Sequence, residues 1–187
     1  MARSKQYNES EVIQKAMNLF WKNGYEATSI RMLEKEMGIN QFSIYASFGS
    51  KQGVFLESIK AYKMELNRIR GVLSESNNGV AGIKQFFYDF LDFTKENEFH
   101  KGCLVCNTLS EVGKGADEVL TEELMKFTSE IRGLFVANLN QEQAKTSETI
   151  EREANFLMTA ILGLSLGSRM LNQQQLTDYI ETTFKSI

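Results

Sequence analysis

Between residues 28 and 51 the chain reads TSIRMLEKEMGINQFSIYASFGSK, a run that few folds accommodate. Thr28 or Ser29 can cap a helix that buries Ile30, Leu33 and Met37 and stops at Gly38. Asn40 can then cap a shorter helix in which Ile44 and Phe48, four apart, face inward. Gln41, Phe42, Ser43, Tyr45 and Ser47 are left as a polar and aromatic outer face. A short helix held on its neighbour by a few apolar residues, with small polar side chains near its start, suits insertion into the DNA major groove. The structural alternative is a set of helices packed for stability alone.

The flanking sequence extends this pair into an all-α chain. Asn8 or Ser10 starts a helix that buries Val12, Ile13, Ala16, Met17 and Phe20 and closes at Gly24, so residues 1–49 form a three-helix unit behind a polar arm. Ser50 caps a helix running to about residue 70, with Phe55, Ile59, Tyr62, Leu66 and Ile69 on one stripe. At about 30 Å it can link the unit to a second helical domain, residues 50–187. After a loop at 74–79 comes a phenylalanine-rich helix carrying Phe86, Phe87 and Phe90, and then a polar break at 96–102. A short helix begins near Cys103 and ends at Gly113 and Gly115, and a longer one covers about 117–138. The helix expected at 150–171 has two apolar stripes, and a helix apolar on two sides must be covered on two sides. One stripe, Phe156, Ala160, Gly163, Leu164 and Gly167, is small enough in places for close approach by a second subunit, with a last helix at about 174–184 completing a four-helix interface. Proline, which breaks helix interiors, is absent from all 187 residues.

Charge is uneven. Through residue 51 there are seven basic and five acidic side chains, a surplus of two positive charges, while the whole chain stands at −3. A locally basic unit on an acidic body permits nucleic-acid binding without demanding it. Two cysteines are too few for a disulfide framework and fit a reducing, cytoplasmic setting. The first ten residues are polar, unlike a signal peptide, and no apolar window is long enough to span a membrane.

An ordered set of residues resembles the TetR family of transcriptional regulators: Ala16, Leu19, Phe20, Gly24-Tyr25, Thr28-Ser29-Ile30, Gly38-Ile39, Ile44-Tyr45, Phe48 and Ser50-Lys51. The resemblance implies a helix-turn-helix domain followed by a helical ligand-binding and dimerisation domain. It implies a homodimeric repressor on a palindromic double-stranded operator, released by a small-molecule effector. By the same resemblance Gln41, Phe42 and Ser43 sit where bases are read, and Thr28, Tyr45 and Lys51 where phosphates are contacted. Lys51 at a helix start also suits an anion physically. Two residues depart from the family pattern. Glu34 replaces a small residue and must point outward or find a partner. Phe42 replaces a frequent glycine or proline, and either meets a thymine methyl or packs against the turn.

The segment 101–107 also resembles a branch of the family that senses electrophiles or oxidants through cysteine. Cys103 and Cys106 are therefore redox candidates. The other readings are two small buried hydrophobes, or a metal site with His100, for which zinc would lack ligands. Phe86, Phe87, Phe90, Cys103, Asn107, Phe127 and Met158 are candidates to line a pocket for an apolar or electrophilic effector, with Tyr88 as a further polar contact. The only histidine, His100, forms no credible catalytic constellation, and no cofactor fingerprint is present, so an enzyme is not expected. The competing function is an all-helical small-molecule-binding or thiol-redox protein without a DNA role.

Overall fold

The computed structural model describes residues 7–95, 102–112, 118–185 and 187. Among these, every regular element is helical: α1 (Glu9–Asn23), α2 (Ile30–Met37), α3 (Gln41–Phe48), α4 (Lys51–Ser74), α5 (Gly79–Lys95), α6 (Leu104–Glu111), α7 (Glu118–Leu139), α8 (Ser147–Gly167) and α9 (Gln173–Thr183). The polar arm at 1–6, the break at 96–101 with His100 and Lys101, and the stops at Gly113 and Gly115 lie outside the described residues.

Side-chain caps fix where the first four helices begin. Asn8 accepts from the amide of Ser10, Ser29 from Met32, Asn40 from Ser43, and Ser50 from Gly53. Each such cap stabilises its helix by about 1 kcal/mol. Gly38 ends α2 in the left-handed region, at φ 70°, and lets the chain turn at once into α3.

α4 is the spine. Its 24 residues span about 36 Å, one turn more than the sequence suggests, because Leu73 stays in phase with the buried stripe. The Asn138 side-chain amide donates to the Leu73 carbonyl near the helix end. The first half of α4 lies under α1, where Phe55 meets Phe20 edge-on at 4.9 Å and Tyr25 at 4.8 Å. The second half packs between α5 and α7. At the changeover, Trp21 of α1 stands edge-on to Tyr62 at 5.0 Å and stacks on Phe93 of α5 at 5.7 Å. The N-terminal unit is thus docked on the rest of the chain through aromatic faces.

The double-sided helix differs from expectation. α8 starts earlier, capped by Thr146, and ends at Gly167. Ala160, Leu164 and Gly167 are already buried inside the chain, which corrects their assignment to close approach by a partner. The Tyr179 hydroxyl of α9 donates to the Ala160 carbonyl at 2.9 Å and lies 2.7 Å from where a Cβ of Gly163 would be. Leu171 and Leu176 cover Gly167. The small residues make room for the chain's own last helix. What α8 leaves outward is Phe156, 46% exposed, with Leu162, Gly163 and Leu166. No helix among the described residues is long and apolar enough to cross a membrane.

Candidate nucleic-acid interface and thiol cavity

α3 projects as its residue spacing requires. Ile44 is fully buried and Phe48 half-buried, which turns Gln41, Phe42 and Tyr45 outward. Phe42 is 81% exposed and Tyr45 43% exposed. Phe42 therefore does not pack against the turn; of its two readings only an outward contact is left. Ser43 is half-buried, and its amide is taken by the Asn40 cap. Glu34 finds a partner: its carboxylate accepts the amide of Gln41 at 3.1 Å, tying α2 to the first residue of α3.

Two expected phosphate contacts are placed differently. Thr28 is buried, 1% exposed, and its hydroxyl donates to the Gly24 carbonyl at 2.6 Å. Lys51 Nζ donates to the carbonyls of Tyr25 at 2.9 Å and Glu26 at 3.4 Å, and lies 4.3 Å from the centre of the Tyr25 ring. Both side chains brace the 24–28 turn between α1 and α2. Arg31 and Lys35, exposed on α2, are cations of the reading unit that the family pattern did not single out.

The second constellation lies where α4, α5, α6, α7 and α8 meet. Phe86, Phe90, Cys103, Phe127 and Met158 do converge, joined by Cys106, around an apolar cavity of about 30 Å³. That is roughly the volume of a single water, far below the several hundred cubic ångströms of a usual ligand site. Phe87 is not part of it; its ring packs on Phe135 and Phe184. Asn107 does not line it either. Tyr88 points elsewhere, donating to Glu181 at 2.6 Å, a hydrogen bond that pushes its hydroxyl up to about 12.

Cys103 is buried at the N-cap of α6. Its amide donates to the Ser165 hydroxyl at 2.8 Å, and its sulfur accepts the Tyr62 hydroxyl at 3.2 Å. Burial alone would raise its pKa. Hydrogen bonds from the Cys106 thiol, the Tyr62 hydroxyl and the amides of Cys106 and Val105 outweigh burial and bring it down to about 7. Cys106 moves well above the ordinary thiol range because it hydrogen-bonds the Cys103 sulfur and is itself desolvated. Of the two thiols, Cys103 is the one that ionises first. Tyr62 was invisible as a functional residue in the sequence, where it reads as one more member of a buried stripe.

This arrangement has a kinetic signature. Alkylation of Cys103 by iodoacetamide, followed by peptide mass, is expected to reach half its maximal rate near pH 7 and to rise with pH, since the thiolate is the nucleophile. Tyr62→Phe removes a donor to that thiolate, so the midpoint moves upward by about one pH unit and the rate at pH 7 falls about fivefold. A midpoint in the ordinary thiol range for the unmutated protein would refute the assignment.

Residues 12–58 match the family described as bacterial regulatory proteins, tetR family, and residues 79–184 match the tetracyclin repressor-like C-terminal domain. The chain is 29% identical over 112 residues to an uncharacterized HTH-type transcriptional regulator, YezE, of Bacillus subtilis (strain 168). That match takes in 59% of this chain and 58% of YezE, so the chain spans less than two thirds of that relative. It is 24% identical over 173 residues to the HTH-type transcriptional repressor ComR of Escherichia coli (strain K12), covering 89% of this chain and 82% of ComR. Among solved structures it is similar to a cysteine mutant of the TetR family transcriptional regulator CifR complexed with 26 bp double-strand operator DNA. The TM-score is 0.88 at 26% identity, with 99% of both chains covered.

Proposed function

The chain belongs to the TetR family of bacterial regulatory proteins, and from that premise we propose that it is a dimeric, cytoplasmic transcriptional repressor that binds a palindromic operator. The observation that carries this reading is the outer face of α3. Gln41, Phe42 and Tyr45 stand outward on a helix fixed by the Asn40 cap, the Gly38 turn and the Glu34 clasp, with no fold-stabilising contact to justify so exposed a phenylalanine. ComR is named a repressor and CifR is seen on its operator, which supports the same role here. The reading unit carries a surplus of only two positive charges, too few to hold one copy through phosphates alone, and this supports a dimer. The outward stripe of α8, Phe156, Leu162 and Leu166, is the surface for it. The role is regulatory and not enzymatic.

Release follows from the cavity. A small apolar or electrophilic effector acts either by prising open the 30 Å³ cavity or by modifying Cys103 or Cys106, both of which line it. Either event displaces α4, through Leu66 in the cavity wall and Tyr62 on the Cys103 sulfur. Paired recognition helices must sit about 34–36 Å apart, or a multiple, to meet successive half-sites, so a small displacement of each α4 loses one of them.

Selection of bound duplexes from random DNA tests this directly. The expected product is a palindrome whose affinity falls steeply between 50 and 200 mM salt, as counterion release requires, and which the thiol oxidant diamide releases. Failure to enrich any sequence would overturn the DNA reading. Retention on DNA under diamide, with Cys103 shown to be modified, would overturn the thiol route.

A further inference from the structure

The short helix α6 is fastened to the DNA-reading unit at both ends. At its start, the carbonyl of Gly102 accepts the Trp21 indole N–H at 3.1 Å, one residue before Cys103. At its end, Glu111 accepts the backbone amide of Glu26 at 3.2 Å. The same carboxylate fills the space beside Gly24, where an added Cβ would run into its Oε1. Gly24 is at φ 88°, a conformation that glycine adopts without strain. Around this turn Lys51 holds the carbonyls of Tyr25 and Glu26, and Thr28 holds that of Gly24. The turn is therefore gripped on its carbonyl side by Thr28 and by Lys51 at the start of α4, and on its amide side by α6. It sets how α2 leaves α1, and α2 carries α3.

We propose that Glu111 is a positioning residue for DNA recognition. Its carboxylate fixes the 24–28 turn, and α6 carries displacement at the Cys103–Cys106 end to α2 and α3 through it. α6 has eight residues and is about 12 Å long, so a tilt at the thiols reaches Glu111 without crossing any flexible joint. The carboxylate's charge favours the bond to the Glu26 amide, which is 3.2 Å long and exposed, and the glycine leaves that carboxylate no obstacle. The thiol-to-DNA part of this inference rests on the repressor reading above; the hold on the turn does not.

The test uses the full chain, a duplex recovered by selection, and the variants Glu111→Ala, Glu111→Gln and Glu111→Met. Glu111→Ala is expected to speed hydrogen exchange at the Glu26 amide about tenfold and to weaken duplex binding about tenfold, with an unchanged thermal melt. It should also blunt release by diamide. Glu111→Gln keeps both the size and an acceptor and should recover most of the affinity, whereas Glu111→Met keeps the size without the acceptor and should not, as a merely steric role would have it do. Unchanged exchange at Glu26 in the alanine variant would overturn the hold on the turn, whether or not the protein binds DNA. Faster exchange with unaltered DNA affinity and unaltered diamide release would overturn the coupling. If the unmutated protein binds no duplex, the repressor reading fails, and the exchange measurement still decides whether Glu111 holds the turn.

Discussion

Phe42→Ala is expected to weaken operator binding by at least about 30-fold while leaving stability unchanged. Truncating an 81% exposed ring removes almost no packing, so urea unfolding should move by less than about 0.5 kcal/mol. A lost contact to a base edge costs about 1–3 kcal/mol, and in a dimer it is lost in both half-sites, which gives about 2–6 kcal/mol in all. No charge is removed, so the slope of log affinity against log salt should stay where it is. That separates base readout from phosphate attraction in a single titration by fluorescence anisotropy. Repeating the duplex selection with the variant should relax preference at one base pair per half-site. Equal affinity for the two proteins would move sequence readout away from this residue.

Phe55→Ala is the largest expected loss of stability. The ring is fully buried, edge-on to Phe20 and tilted against Tyr25. Removing such a side chain from a packed core costs about 3–5 kcal/mol through lost transfer energy and the cavity left behind. Typical domains have only about 5–15 kcal/mol of stability, so the urea midpoint should fall by about a fifth or more. The damage has a place as well as a size. Tyr25 would lose the ring beneath it, and the Lys51 ammonium sits against the Tyr25 ring on the turn that leads into α2. DNA affinity measured well below the unfolding midpoint should therefore fall too. An unfolding free energy within about 1 kcal/mol of the unmutated protein's would mean that these aromatic contacts do not hold α1 on α4.

The start of the chain was the readable part. The caps Asn8, Ser29, Asn40 and Ser50 and the left-handed Gly38 are local devices, satisfied within three or four residues, so their spacing alone carries the information. The exposed Gln41, Phe42 and Tyr45 follow from the phase set by Ile44 and Phe48. What failed was pairing at long range. Thr28 and Lys51 look available for phosphates until the fold folds the 24–28 turn against them. Ala160, Gly163 and Gly167 signal close approach correctly, but periodicity cannot say that Tyr179 and Leu176 of the same chain make it. Phe87 shares a helix with Phe86 and Phe90, yet a 100° step per residue aims it at Phe135 and Phe184 instead of the cavity. Glu111 left no signal at all: its partner amide is 85 residues away in sequence, and glutamate near a helix end is unremarkable by composition.

Trp21 is the chain's only tryptophan, and its indole N–H is bonded to the carbonyl next to Cys103. Indole emission from this protein therefore comes from one ring, wedged between Tyr62 and Phe93 where α1 meets the rest of the molecule. No label is needed to watch that seam. The natural chromophore sits in a contact shared by the residue next to the sulfur and the first helix of the DNA-reading unit, so a chemical event at the one and the posture of the other can be followed in one cuvette and on one clock.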